Sequence, residues 1–451
     1  MKPNYITVKD ASIEFTDEKL RTPLMFGGGV VTAVTKATAS ITVENKAGKR
    51  ATGRGQILLS DLWAFPVLSI PHELKDAAMR DMCRKYLSYI KGYVGYGHPV
   101  DMYMESKPHL KQLCTEMTAE HSLKEAFPFL AALVCSSPID MAMHDAMGLA
   151  AGVSSYDLYG KDAMDDDLSR YLGAPLRGRY IADFLKRDYL PSLPVFHLVG
   201  GVDKLYRSEV TKDDPSDGYP VSLEEWIEQD RLFCFKVKLK GKAVEEDVAR
   251  TLAVAECIER TTARLGINEY YLTIDQNEMC DTPAFDIEYA KKLKEKNARA
   301  FAALLYIEQP TSRDIAKAAH DMRPLAKIKP VLVDEGMLDI ETMNCALEQG
   351  WSGFALKVCK GLSSALIYAA MAGSKKLPYA VQDLTNPGLS LIASAGFAAR
   401  ISTVKGVESN AFQFIPHTSA VDAKRLPELF SRKDGVIRTG CLHGKKGLAY
   451  E

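Results

Sequence analysis

Hydrophobic and polar positions follow two different periods along this chain. Residues 38–44 alternate strictly, which predicts a half-buried strand, and Asn45-Lys46-Ala47-Gly48 predicts its turn. Helical periods follow around 73–91 and 107–117, and an amphipathic helix is predicted over 139–151, ending near Gly152. Strands followed by helices predict a separate α+β domain over this part. From about Pro194 the pattern changes to short apolar strands, each followed by a helical stretch. The predicted strands are 195–199, 233–239, 271–275, 304–308, 331–334, 353–357, 379–382 and 412–415. Eight βα units in a row imply a closed parallel barrel of the α/β class, because parallel strands need crossover helices. Residues 211–218 form a polar, turn-rich insertion after the first barrel strand, and 416–451 read as a tail returning over a surface.

Composition narrows the function classes. The 451 residues hold 57 Lys+Arg against 58 Asp+Glu, so no general attraction to nucleic acid or anionic membrane is expected. The nine cysteines include no C-x-x-C, which predicts reduced thiols and a cytoplasmic home. The first ten residues have no apolar signal core, and no run of 18 apolar residues occurs, so neither secretion nor membrane insertion is expected.

Chemistry concentrates at the barrel strands. In Phe235-Lys236-Val237-Lys238-Leu239 the apolar set must face the helices, which points Lys236 and Lys238 into the barrel. Taken alone, a solvated edge strand explains such a run, Lys240 included. The following strands change that balance, since Asp275, Glu308 and Asp334-Glu335 end three consecutive apolar strands. Three acids meeting at one mouth repel unless a cation lies between them, and hard oxygen ligands suit Mg²⁺, with Mn²⁺ as the alternative. Lys357 on strand six is expected opposite Lys238 across a ring of eight. With the ion included, the mouth is net positive and suited to an anion whose charge grows when an α-proton is lost. Asn277, two residues past Asp275, is a candidate support for the metal site or a strand-end hydrogen-bonding residue. Gln382 and Asp383 end strand seven and are candidate substrate contacts. Gly27-Gly28-Gly29 lacks the context of a phosphate loop. His144 and Asp145 are read as packing residues, His417 as a loop residue, and Cys234 and Cys359 as core.

In order and spacing, the Lys236-x-Lys238, Asp275-Gln276-Asn277, Glu308-Gln309-Pro310, Asp334-Glu335 and Lys357 segments resemble the barrel motifs of the enolase superfamily, nearest its muconate lactonizing enzyme-like subgroup. Pro138 to Gly148 resembles the helix that joins that family's N-terminal domain to its barrel. The resemblance implies a (β/α)7-8 barrel of the TIM type over 191–415, an α+β capping domain over 1–190, and a tail over 416–451 that completes the capping domain. It implies Asp275, Glu308 and Asp334 as metal ligands, Lys238 and Lys357 as acid/base groups or opposed cations, and Lys236 as a cation that lowers its neighbour's pKa. It also implies a capping segment at 26–30, with Phe26 near a small carboxylate substrate, and a homo-oligomer. The implied reaction is removal of a proton α to a carboxylate, ending in racemisation or epimerisation, or alternatively in β-elimination or cycloisomerisation. A catalytically silent member is the remaining alternative. The lysine on strand six leaves no counterpart for a His-Asp dyad. The strand predicted at 412–415 lacks the D-x-D that holds an ammonium in dipeptide epimerases.

Overall fold

The computed structural model describes residues 1–26 and 29–451, without the side chains of Met25 and Phe26. The expected role of Phe26, and the Gly27-Gly28 pair, therefore lie outside the described residues.

The N-terminal sheet is larger than its alternating signal. Strands β1 (Ile6–Phe26), β2 (Gly29–Asn45) and β3 (Arg50–Leu58) form an antiparallel sheet in the order β1-β2-β3. Only the stem of β2 buries every second residue, which is why it alone was legible. A short helix α1 (Asp61–Ala64) follows, then α2 (His72–Lys91), α3 (Pro99–Glu120) and α4 (Phe129–Ala151). The expectation of an amphipathic helix at 139–151 is corrected here. Nearly every residue of α4 is buried, because it packs on β2 and β3 and also on α2 and α3. Gly53 and Gly55 on β3 permit that contact: a Cβ on Gly55 would lie 2.0 Å from the carbonyl oxygen of Pro138 in α4. Gly152, left-handed at φ 77°, ends the helix.

Eight parallel strands close the barrel: β4 (Leu193–Val199), β5 (Cys234–Lys238), β6 (Tyr271–Asp275), β7 (Leu304–Glu308), β8 (Val331–Val333), β9 (Gly353–Leu356), β10 (Tyr379–Val381) and β11 (Val407–Glu408). They pair in sequence order, and β11 pairs with β4 to complete the ring. The eighth strand was expected at 412–415, but Ala411–Phe414 is a helical turn and Val407–Glu408 is the strand. A two-residue strand carries no periodic signal, whereas Phe412, Phe414 and Ile415 mimic one.

The tail returns as β12 (Val436–Ile437), antiparallel to the start of β4. It ends on α4, where Asp145 Oδ1 accepts from the Leu448 amide at 2.8 Å. Among the described residues, no helix is long and apolar enough to cross a membrane.

Candidate active site

Strand register builds the site. Lys238 lies opposite Asp275 across β5 and β6, and Asp275 lies opposite Glu308 across β6 and β7. Adjacent strands are about 4.8 Å apart, so these side chains form one row at the C-terminal mouth. Strands β5 and β9 are four places apart either way round the ring, so Lys238 and Lys357 come from opposite walls. Both line one cavity of about 50 Å³, together with Lys236, Asp383, Glu408 and Asn410. Leu24, Ser60 and Trp63 reach into it from the N-terminal domain.

Every lysine in the mouth meets an acid. Lys236 Nζ lies 2.9 Å from Glu308, 3.0 Å from Glu408 and 3.1 Å from Asp275. Lys238 Nζ lies 2.5 Å from Asp275 and donates to Asn277 Oδ1 at 2.8 Å. Lys357 Nζ lies 2.6 Å from Asp334 Oδ2 and 4.6 Å from the ring centre of Trp63. Lys360, which the sequence reading missed, donates to Asp334 Oδ1 at 2.9 Å and to its backbone carbonyl at 2.5 Å. The Trp63 indole in turn donates to Glu335 Oε1 at 2.7 Å. Gln382 donates to Glu308 Oε2. Asp383 accepts from the Asn410 amide at 2.6 Å and from that of Asn386.

These contacts set the charge states. Burial would raise Asp275, but Lys238 and Lys236 outweigh it and hold the carboxyl at about 2. Asp334 is likewise held well below the usual range, against burial, by Lys357 and Lys360. Glu308 moves the other way, pushed well up by burial and then by Asp275 and Asp334. Burial also opposes the charge on Lys236 and on Lys357, yet Glu308 and Glu408 raise the first and Asp334 raises the second. Asp383 is pushed up to about 7 by burial and then by Glu408.

One expectation needs correction. The three acids do not meet at a single empty point: Asp275 and Glu308 share the ammonium of Lys236, while Asp334 is turned to Lys357 and Lys360. Among the described residues, no three His, Cys, Asp or Glu side chains already stand as a cage for an ion. The donor chemistry nevertheless fits a hard divalent cation. Three adjacent strands end in buried carboxylates, burial and then Asp275 and Asp334 push Glu308 toward protonation, and Glu335 Oε2 is buried without a hydrogen bond. Lys360 adds one cation to the mouth, but Glu335, Asp383 and Glu408 add three carboxyls, so the net positive charge expected from the sequence is not kept at formal charges.

The remaining candidates separate cleanly. Lys240 is exposed and pairs with Glu246, as a solvated lysine does. His144 is buried between Ser363 and Tyr159, and His197 between Arg432 and Trp226. His417 is exposed beside Glu18. Cys234 and Cys359 are buried thiols raised by burial, Cys359 to about 12. Lys360 was legible as Lys357-x-x-Lys360 before a glycine. Glu408 was lost with the misplaced eighth strand. Trp63 carried no signal, because it arrives from another domain. With the strand corrected, Glu408-Ser409-Asn410 holds one acid and one amide at the position compared earlier with D-x-D.

The model of the family described as enolase C-terminal domain-like matches residues 220–450. Among solved structures, a dipeptide epimerase from Enterococcus faecalis V583, complexed with Mg and L-Leu-L-Tyr, is 16% identical with a TM-score of 0.56, over 89% of this chain and 90% of that one. A muconate lactonizing enzyme from Pseudomonas Fluorescens, complexed with muconolactone, is 16% identical with a TM-score of 0.58, over 98% and 95%. An enolase from Bradyrhizobium, complexed with magnesium and mandelic acid, is 15% identical with a TM-score of 0.57, over 99% and 95%. No curated protein matches the chain. The family match spans more than half the chain and contains every strand-end acid and lysine described above, so this protein belongs to the enolase C-terminal domain-like family.

Proposed function

We propose that this protein removes the proton α to the carboxylate of a small acid and returns it, acting as a racemase or epimerase. One observation carries the reading: lysines from opposite walls, Lys238 and Lys357, line a single cavity with a row of acids on the arc between them. A proton taken by one lysine and returned by the other from the far side inverts the carbon. Asp275, Glu308 and Asp334 would hold Mg²⁺. When bound, the ion supplies positive charge that stabilises the anion formed on proton loss. Lys236 remains an ammonium, held by three carboxylates, and fixes the positions of Glu308 and Glu408. Trp63, Leu24, Leu198 and Leu384 exclude water from the carbanion and favour a substrate with an apolar part. A cavity of about 50 Å³ is below the usual 300–1,000 Å³ of ligand pockets, so binding requires the capping side chains to shift.

One observation favours a second reading, elimination or cycloisomerisation. Lys357 is pinned between Asp334 and the face of Trp63, a setting that suits a fixed cation better than a base. Incubating the protein with Mg²⁺ and a library of carboxylic acids in D₂O tests both. Uptake of α-deuterium is the expected result, and no uptake from any acid would sink the enzyme reading in favour of a silent family member. Lys357→Ala then divides the two, because it abolishes epimerisation but leaves part of a one-base elimination.

A further inference from the structure

We propose that Arg21 and Asp217 form a latch that positions Leu24 in the wall of the lysine cavity. The latch joins a wide bulge in β1 to the insertion that follows β4. From Asp10 opposite Thr42, pairing of β1 with β2 is regular up to Lys19 opposite Ala33, and it resumes at Leu24 opposite Val31. Between those points β1 advances five residues while β2 moves two, so the chain is pushed out of the ladder. A bulge re-aims the side chains it carries, and Arg21 lies inside this one.

All five N–H donors of Arg21 are used. Nε donates to Asp217 Oδ2 at 2.7 Å and Nη2 to Asp217 Oδ1 at 2.9 Å. Nη1 donates to the carbonyls of Pro220 and Gln413, and Nη2 to that of Tyr219, each at 3.2 Å. The side chain is only 7% exposed. With Asp217 38% exposed the ion pair itself contributes little, but a buried guanidinium fork held by a bidentate carboxylate and three carbonyls fixes direction as well as distance. The insertion at 211–218 ends in this socket through Asp217. Gln413 extends the grip, because its side chain bonds both the amide and the carbonyl of Leu198 in β4, at 3.2 and 2.9 Å. Leu198 and Leu24 line the same cavity, Leu24 three residues beyond Arg21. Arg21 and Asp217 touch no reacting group, so both are positioning residues.

The kinetic part of this proposal rests on the function proposed above, whereas its structural part does not. Amide hydrogen exchange on the full chain should quicken about tenfold at residues 19–24 in Asp217→Asn, with β5 to β9 unchanged, and Asp217→Glu should restore protection. Unchanged exchange, or a uniform increase across the chain, would overturn the latch. For an acid found by the deuterium screen, Asp217→Asn should raise KM about fivefold with kcat nearly constant. A loss confined to kcat would overturn the positioning role. If wild-type protein exchanges no acid, the proposed function fails, and the hydrogen-exchange result still decides the latch.

Discussion

The two lysine walls of the mouth are built in different ways. Lys236 and Lys238 are alternate residues of one strand, and the barrel strands alone face them to the acids of β6, β7 and β11. Lys357 and Lys360 stand beyond the end of β9, where the backbone has left the ladder. The N-terminal domain holds that turn: Tyr103 of α3 donates to the Lys360 carbonyl at 2.9 Å, and Asp140 of α4 accepts from the Ser363 amide at 2.9 Å. Gly361, at φ 97°, lies so close to Tyr103 that a Cβ would come within 2.4 Å of its ring. One wall is therefore set by the barrel itself, and the other requires both domains to be packed together.

The largest effect should come from breaking the self-contained wall. Lys236→Met leaves the buried carboxyls of Glu308, Glu408 and Asp275 without their shared ammonium. Loss of one partner from a buried pair costs about 3–5 kcal/mol, readable as a lower denaturation midpoint. A midpoint equal to wild type would mean that solvent reaches this wall.

The supported wall should carry a pH signature. Asp145 on α4 bonds the Arg54 and Leu448 amides and so ties sheet and tail to the helix behind Lys357. Burial raises its carboxyl from 3.8 to about 7. The folded state therefore keeps a proton that the unfolded chain loses first. This contribution is complete below about pH 4 and is lost as pH rises toward 7, at up to about 1.4 kcal/mol per unit. Denaturation of wild type and Asp145→Asn at several pH values should show the difference between them shrinking in that direction. A constant difference would exclude the effect.

Tyr103→Phe should have the smallest effect, about 1–2 kcal/mol, by removing the buried hydrogen bonds to the Lys360 carbonyl and to Ser136 Oγ. Its value lies in location. Amide exchange should quicken at 358–362 and stay constant in β5, whereas equal changes in both would erase the distinction between the walls.

Legibility in the sequence follows the same division. Lys236, Lys238, Asp275, Glu308 and Asp334 belong to strands or strand ends whose apolar neighbours reveal which face is inward. Alternation is a local property, so the barrel and this row of charges could be read without coordinates. Glu408 was hidden because its strand is two residues long and lies beside a stronger apolar decoy. Trp63, Leu24 and the Arg21 latch were hidden because nothing near them in sequence says what they meet.

The chain alone determined that eight strands would close and that acids and lysines would crowd one end, because burial forces a period of two onto each strand. Only the tertiary structure decided how those charges pair, which residues of the N-terminal domain cover them, and which lysines depend on that cover. Ion pairing acts over a few ångströms between segments far apart in the chain, and no local pattern encodes such distances.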